Sequence, residues 1–132
     1  MYHKILLAYD GSEGASKGLK AGISLAKIHH AELCALAVEE KLPPIEEKDF
    51  ADQNYGRILK WAEGLAMGEG VDLQTLVRPG HPAKTIVEVA KEGKFDLILM
   101  GHSGLSEVWV RFLGTTAEKV SRHAPCSVLI VR

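Results

Sequence analysis

Short unbroken apolar runs alternate along this chain with stretches whose apolar residues recur at helical spacing, and that alternation limits the fold more than any other feature. A run that is apolar on every side chain is buried on both faces, and such strands joined by amphipathic helices are the mark of βαβ units around a parallel sheet. Five runs read as strands: Lys4 to Tyr9, Glu32 to Val38, Val71 to Arg78, Phe95 to Met100 and Ser127 to Val131. The helical stripes between them are Ala15, Leu19, Gly22, Ile23 and Ala26; Ala51, Tyr55, Ile58, Leu59, Ala62 and Leu65; Ala83, Ile86, Val87 and Ala90; and Leu113, Ala117, Val120 and Ala124. The third run alternates polar with apolar residues, which places it at a sheet edge. With right-handed crossovers the strand order is then 3-2-1-4-5, an α/β sheet with helices on both faces. Ligands in such sheets meet the carboxyl ends of the strands where the winding reverses, so Asp10 and Gly101 are expected to face each other across one crevice.

Local punctuation agrees with these limits. Ser12 is placed to cap the first helix, Pro82 suits the first turn of the third, and Pro125 stops the last. Thr115-Thr116-Ala117-Glu118 has capping-box spacing, so the last helix starts near Thr115. His29 and His30 fit a helix C-terminus. Glu39 to Asp49, with Pro43-Pro44 and mixed charge, reads as an exposed loop. At 132 residues the chain is the length of one domain, taken as residues 1–132. No apolar stretch approaches the roughly 20 residues of a membrane span. A net charge of −1 with scattered Lys and Arg leaves no footprint for nucleic acid or an anionic membrane. The opening Met1-Tyr2-His3-Lys4 runs into a strand rather than a signal-like segment, and Cys34 and Cys126 sit in apolar runs; both features point to a reducing cytoplasm.

Chemistry concentrates after the fourth strand, where Gly101-His102-Ser103-Gly104 is followed by nine residues and then Gly114-Thr115-Thr116 at a helix start. Glycines let a backbone close on an anion, and a helix N-terminus adds free N–H groups and the positive end of its dipole. The hydroxyls of Ser103, Thr115 and Thr116 add donors. The plainer alternative is a βα loop with a glycine turn and a threonine cap. Asp10 either receives a ligand hydroxyl or amine or makes an Asx turn. His102 either faces outward from the loop or touches phosphate. The six histidines lack metal-site spacing, since His29 and His30 diverge around a helix and Pro125 separates His123 from Cys126. Neither a P-loop nor the dinucleotide fingerprint is present. No nucleophile pairs with a base, which points to binding without designed catalysis; slow hydrolysis of a held polyphosphate stays open.

The glycine pattern from Gly101 to Thr116, the opening Lys4-Ile5-Leu6-Leu7-Ala8-Tyr9-Asp10-Gly11-Ser12 and the ending His123-Ala124-Pro125-Cys126 resemble the universal stress protein family over the whole chain. The resemblance implies a Rossmann-like (adenine nucleotide alpha hydrolase-like) domain, a cytoplasmic location, frequent dimers and a stress-response role. In the subclass with three glycines it also implies bound ATP, with Mg2+ or Mn2+ accompanying it. By position, Asp10 and the backbone around Val38 would receive the adenine end, beside Ala8 and Tyr9, and Met100 and Gly101 would line the ribose side. Gly104, Gly114, Thr115 and Thr116 would hold phosphates, with His102 and Ser103 in the same loop. Tyr9 departs from the small or β-branched residue usual there. The resulting picture is a regulatory module in which ATP orders Gly104 to Gly114 for a protein partner. Its edge strand Ser127 to Val131 would pair with a second copy to form a homodimer. The rivals are an interaction protein with a vestigial pocket and a slow ATP-hydrolysing enzyme.

Overall fold

The strand nearest the N-terminus, β1 (Lys4–Ala8), lies at the centre of the sheet, with Ile5, Leu6 and Leu7 fully buried. The computed structural model describes residues 1–40, 45–102 and 115–132, with residues 45–54 described by their backbone alone. The strands β2 (Glu32–Glu39), β3 (Leu73–Pro79), β4 (Leu97–Gly101) and β5 (Ser127–Val131) complete one sheet, and α1 (Glu13–His29), α2 (Ile45–Gly68), α3 (Pro82–Glu92) and α4 (Thr115–His123) connect them. The order is β3-β2-β1-β4-β5 with every pairing parallel, as the apolar pattern predicts.

Successive side chains of a strand point to opposite faces, so the central strands feed two cores. Ile5, Leu7, Leu33, Ala35, Leu97 and Leu99 meet Leu19 and Ile23 of α1 and Leu59, Ala62 and Ala66 of α2. Leu6, Cys34, Leu36, Ile98 and Met100 meet Ile86, Val89 and Ala90 of α3 and Ala117 and Val120 of α4. Each face therefore carries two helices. Burial pushes the Cys34 thiol above its ordinary ionisation range, which suits a small core residue rather than a nucleophile.

Val71 and Phe95 fall just outside the strands to which the sequence assigns them. Their N–H groups close the preceding helices instead, donating to Ala66 and Ala90 at 2.9 Å each, past the left-handed residues Gly70 and Lys94. Ala31 closes α1 on Ala26 in the same way, past left-handed His30. These are C-terminal closures that satisfy otherwise unpaired carbonyls. The loop expected over Glu39 to Asp49 is shorter than its composition suggests. Glu39 still pairs with Pro79 in the sheet, and α2 begins at Ile45. At α4, Thr115 lies inside the helix, and the Glu118 carboxylate takes a 2.8 Å bond from Arg122 one turn on rather than completing a capping box.

The amino-terminal ends of β1 and β4 are tied by one carboxylate. Asp96 accepts from the amides of His3 at 2.7 Å and Lys4 at 3.0 Å, while its own N–H donates to the Lys4 carbonyl at 2.9 Å. Lys4 in turn donates through Nζ to Gly93 at 2.6 Å and lies over the Phe95 ring. Desolvation raises the Asp96 carboxyl, but the Lys4 and His3 amides outweigh it and hold the group below its ordinary 3.8. A depressed folded value stabilises the fold above the unfolded value, and this stability is lost as pH falls through the folded one. Asp96→Asn is therefore expected to cost about 1 kcal/mol at neutral pH and to converge with the parent in acid. Thermal melts of both chains from about pH 3 to 7 check this, and a gap that stays constant with pH contradicts it.

Candidate functional site

A crevice of about 200 Å3 opens at the carboxyl ends of the strands, on the face carrying α3 and α4. Ala8, Leu36, Val38 and Met100 make an apolar floor, and Ile86 and Ala117 add apolar walls. Pro82 at the start of α3, Thr116 in the first turn of α4, and Asp10 and Ser12 before α1 make the rim. Three helices thus present their N-terminal ends around one cleft, a consequence of every crossover returning to the same edge of a parallel sheet.

Asp10 lines this crevice and also makes the local turn that its sequence allows. Its Oδ1 accepts from the Ser12 amide at 2.9 Å, and the Ser12 hydroxyl accepts from Ala15 at 3.1 Å as the N-cap of α1. Its other carboxylate oxygen takes no hydrogen bond from the described residues. Asp10 and Gly101 do border the same crevice, as the switch-point argument predicts.

Tyr9 behaves differently from its neighbour. Tyr9 lines the crevice beside Ala8, but strand alternation packs it into the α1/α2 core, where it is 3% exposed. Burial raises the phenol above its ordinary value, with a hydrogen bond to Ser16 opposing the shift. The small side chain at the crevice is therefore Ala8, which leaves room that a larger residue would fill.

The expectation that His102 faces outward fails. It is 8% exposed, because its N–H donates to the Val131 carbonyl at 2.7 Å and carries the β4–β5 ladder one residue further. Thr115 and Thr116 also part company. Thr116 borders the crevice, whereas Thr115 borders a separate groove between α3 and α4, because consecutive helical residues diverge by about 100°. Ser103, Gly104 and Gly114 lie outside the described residues. Among the described residues no group of three His, Cys, Asp or Glu side chains could hold a metal ion, and no helix is long and apolar enough to cross a membrane.

Sequence reasoning missed Gly14. A side chain on Gly101 would strike the Gly14 carbonyl, and one on Gly14 would strike the His102 carbonyl. Gly18 continues the contact, with space for its absent Cβ only 3.2 Å from the Gly101 nitrogen. The first turns of α1 thus lie backbone to backbone on the end of β4. The spacing Gly14, Gly18, Gly22 was the available signal, since it sets a bare stripe along one face of the helix.

These features define a small doubly wound α/β domain with a rimmed, apolar-floored crevice at its switch point. The universal stress protein family model matches residues 1–132, and the chain belongs to that family. It is 38% identical to a universal stress protein of Thermus aquaticus over 137 aligned residues, covering all of both chains. Among solved structures it is similar to the universal stress protein UspA of Lactobacillus plantarum, with a TM-score of 0.85, 26% identity and coverage of 99% and 98% of the two chains. A universal stress protein solved in complex with cAMP superposes with a TM-score of 0.82 at 27% identity, covering 99% of this chain and 97% of that one.

Gly101→Ala is expected to cost about 3 kcal/mol, because the obstacle to its methyl group is backbone on a packed helix and no rotamer change relieves it. Denaturant melts measure this, and a loss under about 0.5 kcal/mol would show that α1 can move off β4 freely.

Proposed function

We propose that the crevice holds an adenine nucleotide, ATP in its working state, and that the chain acts in the cytoplasm as a nucleotide-dependent regulatory module of the stress response. The observation that carries this reading is the chemistry gathered in one cleft. The apolar side chains of Ala8, Val38 and Met100 line the same crevice as the Asp10 carboxylate and the first turn of α4. A nucleotide presents the complement of that set: an apolar ring, hydroxyls and an anion. Asp10 would accept from ribose or amine donors, and Met100 and Gly101 would flank the sugar. Thr116 with the free amides of α4 would meet phosphate, which the segment Gly104 to Gly114 would enclose. Thr115, on the groove side, drops out of that set. Mg2+ or Mn2+ would arrive on the polyphosphate. The cAMP complex of a family member supports the nucleotide class.

Calorimetric titration of ATP, ADP, AMP and cAMP into the purified chain tests the reading directly. Ala8→Leu fills the floor at a half-buried position and is expected to weaken ATP binding by about 30-fold or more, while secondary structure is retained. Undiminished ATP affinity in that variant would place the nucleotide elsewhere and defeat the proposal. Phosphate release with Mg2+ on the same sample separates a binding module from a hydrolytic enzyme.

We further propose a homodimer through β5. Among the described residues that strand is the sheet edge beyond β4, and Leu129 on it is 41% exposed. An apolar edge with unpaired N–H and C=O groups pairs readily with a copy of itself, antiparallel about a two-fold axis. Light scattering is expected to give a dimer mass that Leu129→Lys reduces toward the monomer, and a concentration-independent monomer in the parent chain would refute the contact.

A further inference from the structure

A groove between α3 and α4, about 620 Å3, is larger than the crevice, which is about 200 Å3. Ala83 and Val87, one turn apart, form its floor on α3, and Thr115, Lys119 and His123 follow one another at the same spacing along α4. The nine residues of α4 give it a length of about 13 Å, two to three helical turns. Its flanks are charged unevenly. Glu88 is paired with Lys84 at 4.0 Å and Glu118 with Arg122 at 2.8 Å, each along its own helix. Lys119 is exposed and has no ion-pair partner among the described residues, so the described rim carries one more positive than negative charge, with His123 beside it.

The groove also stands back to back with the crevice. Pro82 and Ile86 of α3 border the crevice while Ala83 and Val87 border the groove, and Thr116 and Ala117 of α4 border the crevice while Thr115 and Glu118 border the groove. A ligand that shifts the first turns of these helices alters both cavities together.

We infer that the α3–α4 groove is the output surface of the domain, docking an acidic amphipathic helix of a partner protein and coupled to the crevice through the two helices they share. Helix-in-groove recognition lays an apolar stripe onto a floor such as Ala83 and Val87, and acidic flanks meet Lys119. The aliphatic stems of Lys84, Lys119 and Arg122 extend the apolar contact. The docking half stands on the groove alone, and the coupling half rests on the nucleotide reading. Coupling of this kind is reciprocal: a nucleotide that strengthens partner binding is strengthened by the partner to the same degree.

The test uses two fluorescent synthetic peptides of about 15 residues, long enough for the groove and for a stable helix, one with Leu on one face and Glu on its flanks, the other with Lys in place of Glu. Anisotropy titration with the full chain is expected to show saturable binding of the acidic peptide. Lys119→Glu, an exposed change that leaves the melt unaltered, should weaken the acidic peptide about tenfold and improve the basic one, and Val87→Asp should abolish both. Saturating ATP should change the acidic peptide's affinity about fivefold or more. No saturable binding, or binding indifferent to both substitutions, overturns the docking site whether or not ATP binds. If ATP and peptide both bind without influencing each other, the coupling is overturned and the crevice reading stands. If the peptide docks at the groove and no nucleotide binds, the crevice reading fails and the docking site survives.

Discussion

Everything in this domain follows from the burial of β1 on both faces between β2 and β4. A strand with side chains directed into two cores requires helices on both sides, and Ile5 and Leu7 meet one pair while Leu6 meets the other. The chain must then wind outward from β1 first in one direction, through β2 and β3, and afterwards in the other, through β4 and β5. The reversal separates the crossovers above β1 and β4, and the crevice opens between them at that edge.

What gives the crevice its particular form is a set of small residues. Ala8 holds the floor open, and Gly14 with Gly101 lets α1 settle directly onto the end of β4. Settling α1 there fixes the turn through Asp10 and Ser12, because the Ser12 cap and the Asp10 bond to it begin one turn before the contact. A carboxylate at the rim is thus positioned by backbone packing rather than by a partner side chain. The same contact explains the buried His102, whose carbonyl lies under Gly14 and whose amide is spent on β5.

The helices α3 and α4 belong to two cavities at once, and their sequences show it. Their inner faces, Ile86, Val89, Ala90, Ala117 and Val120, are committed to the sheet, while their outer faces carry ion pairs at helical spacing around Ala83 and Val87. Surface ion pairs of this type contribute little to stability, so their arrangement is free to serve recognition. Membership of the universal stress protein family says nothing by itself about what such an outer face meets.

The sequence by itself determined the elements, their order and the address of the crevice, because apolar periodicity records which faces are buried and a parallel sheet leaves few topologies for five strands. Ser12 as a cap and Pro82 at a helix start were legible because each depends on neighbours within a turn, and Asp10 at the switch point was legible because the strand order places it there. The destinations of individual side chains at the site were decided only in three dimensions. That Tyr9 is shared between the crevice and the α1/α2 core, that Thr115 and Thr116 serve different cavities, that His102 is buried and that Gly101 exists as much for α1 as for any ligand are facts about contacts between segments far apart in the chain. Periodicity encodes the burial of a face but not the partner that buries it, and close packing chooses that partner only when the whole sheet has been assembled.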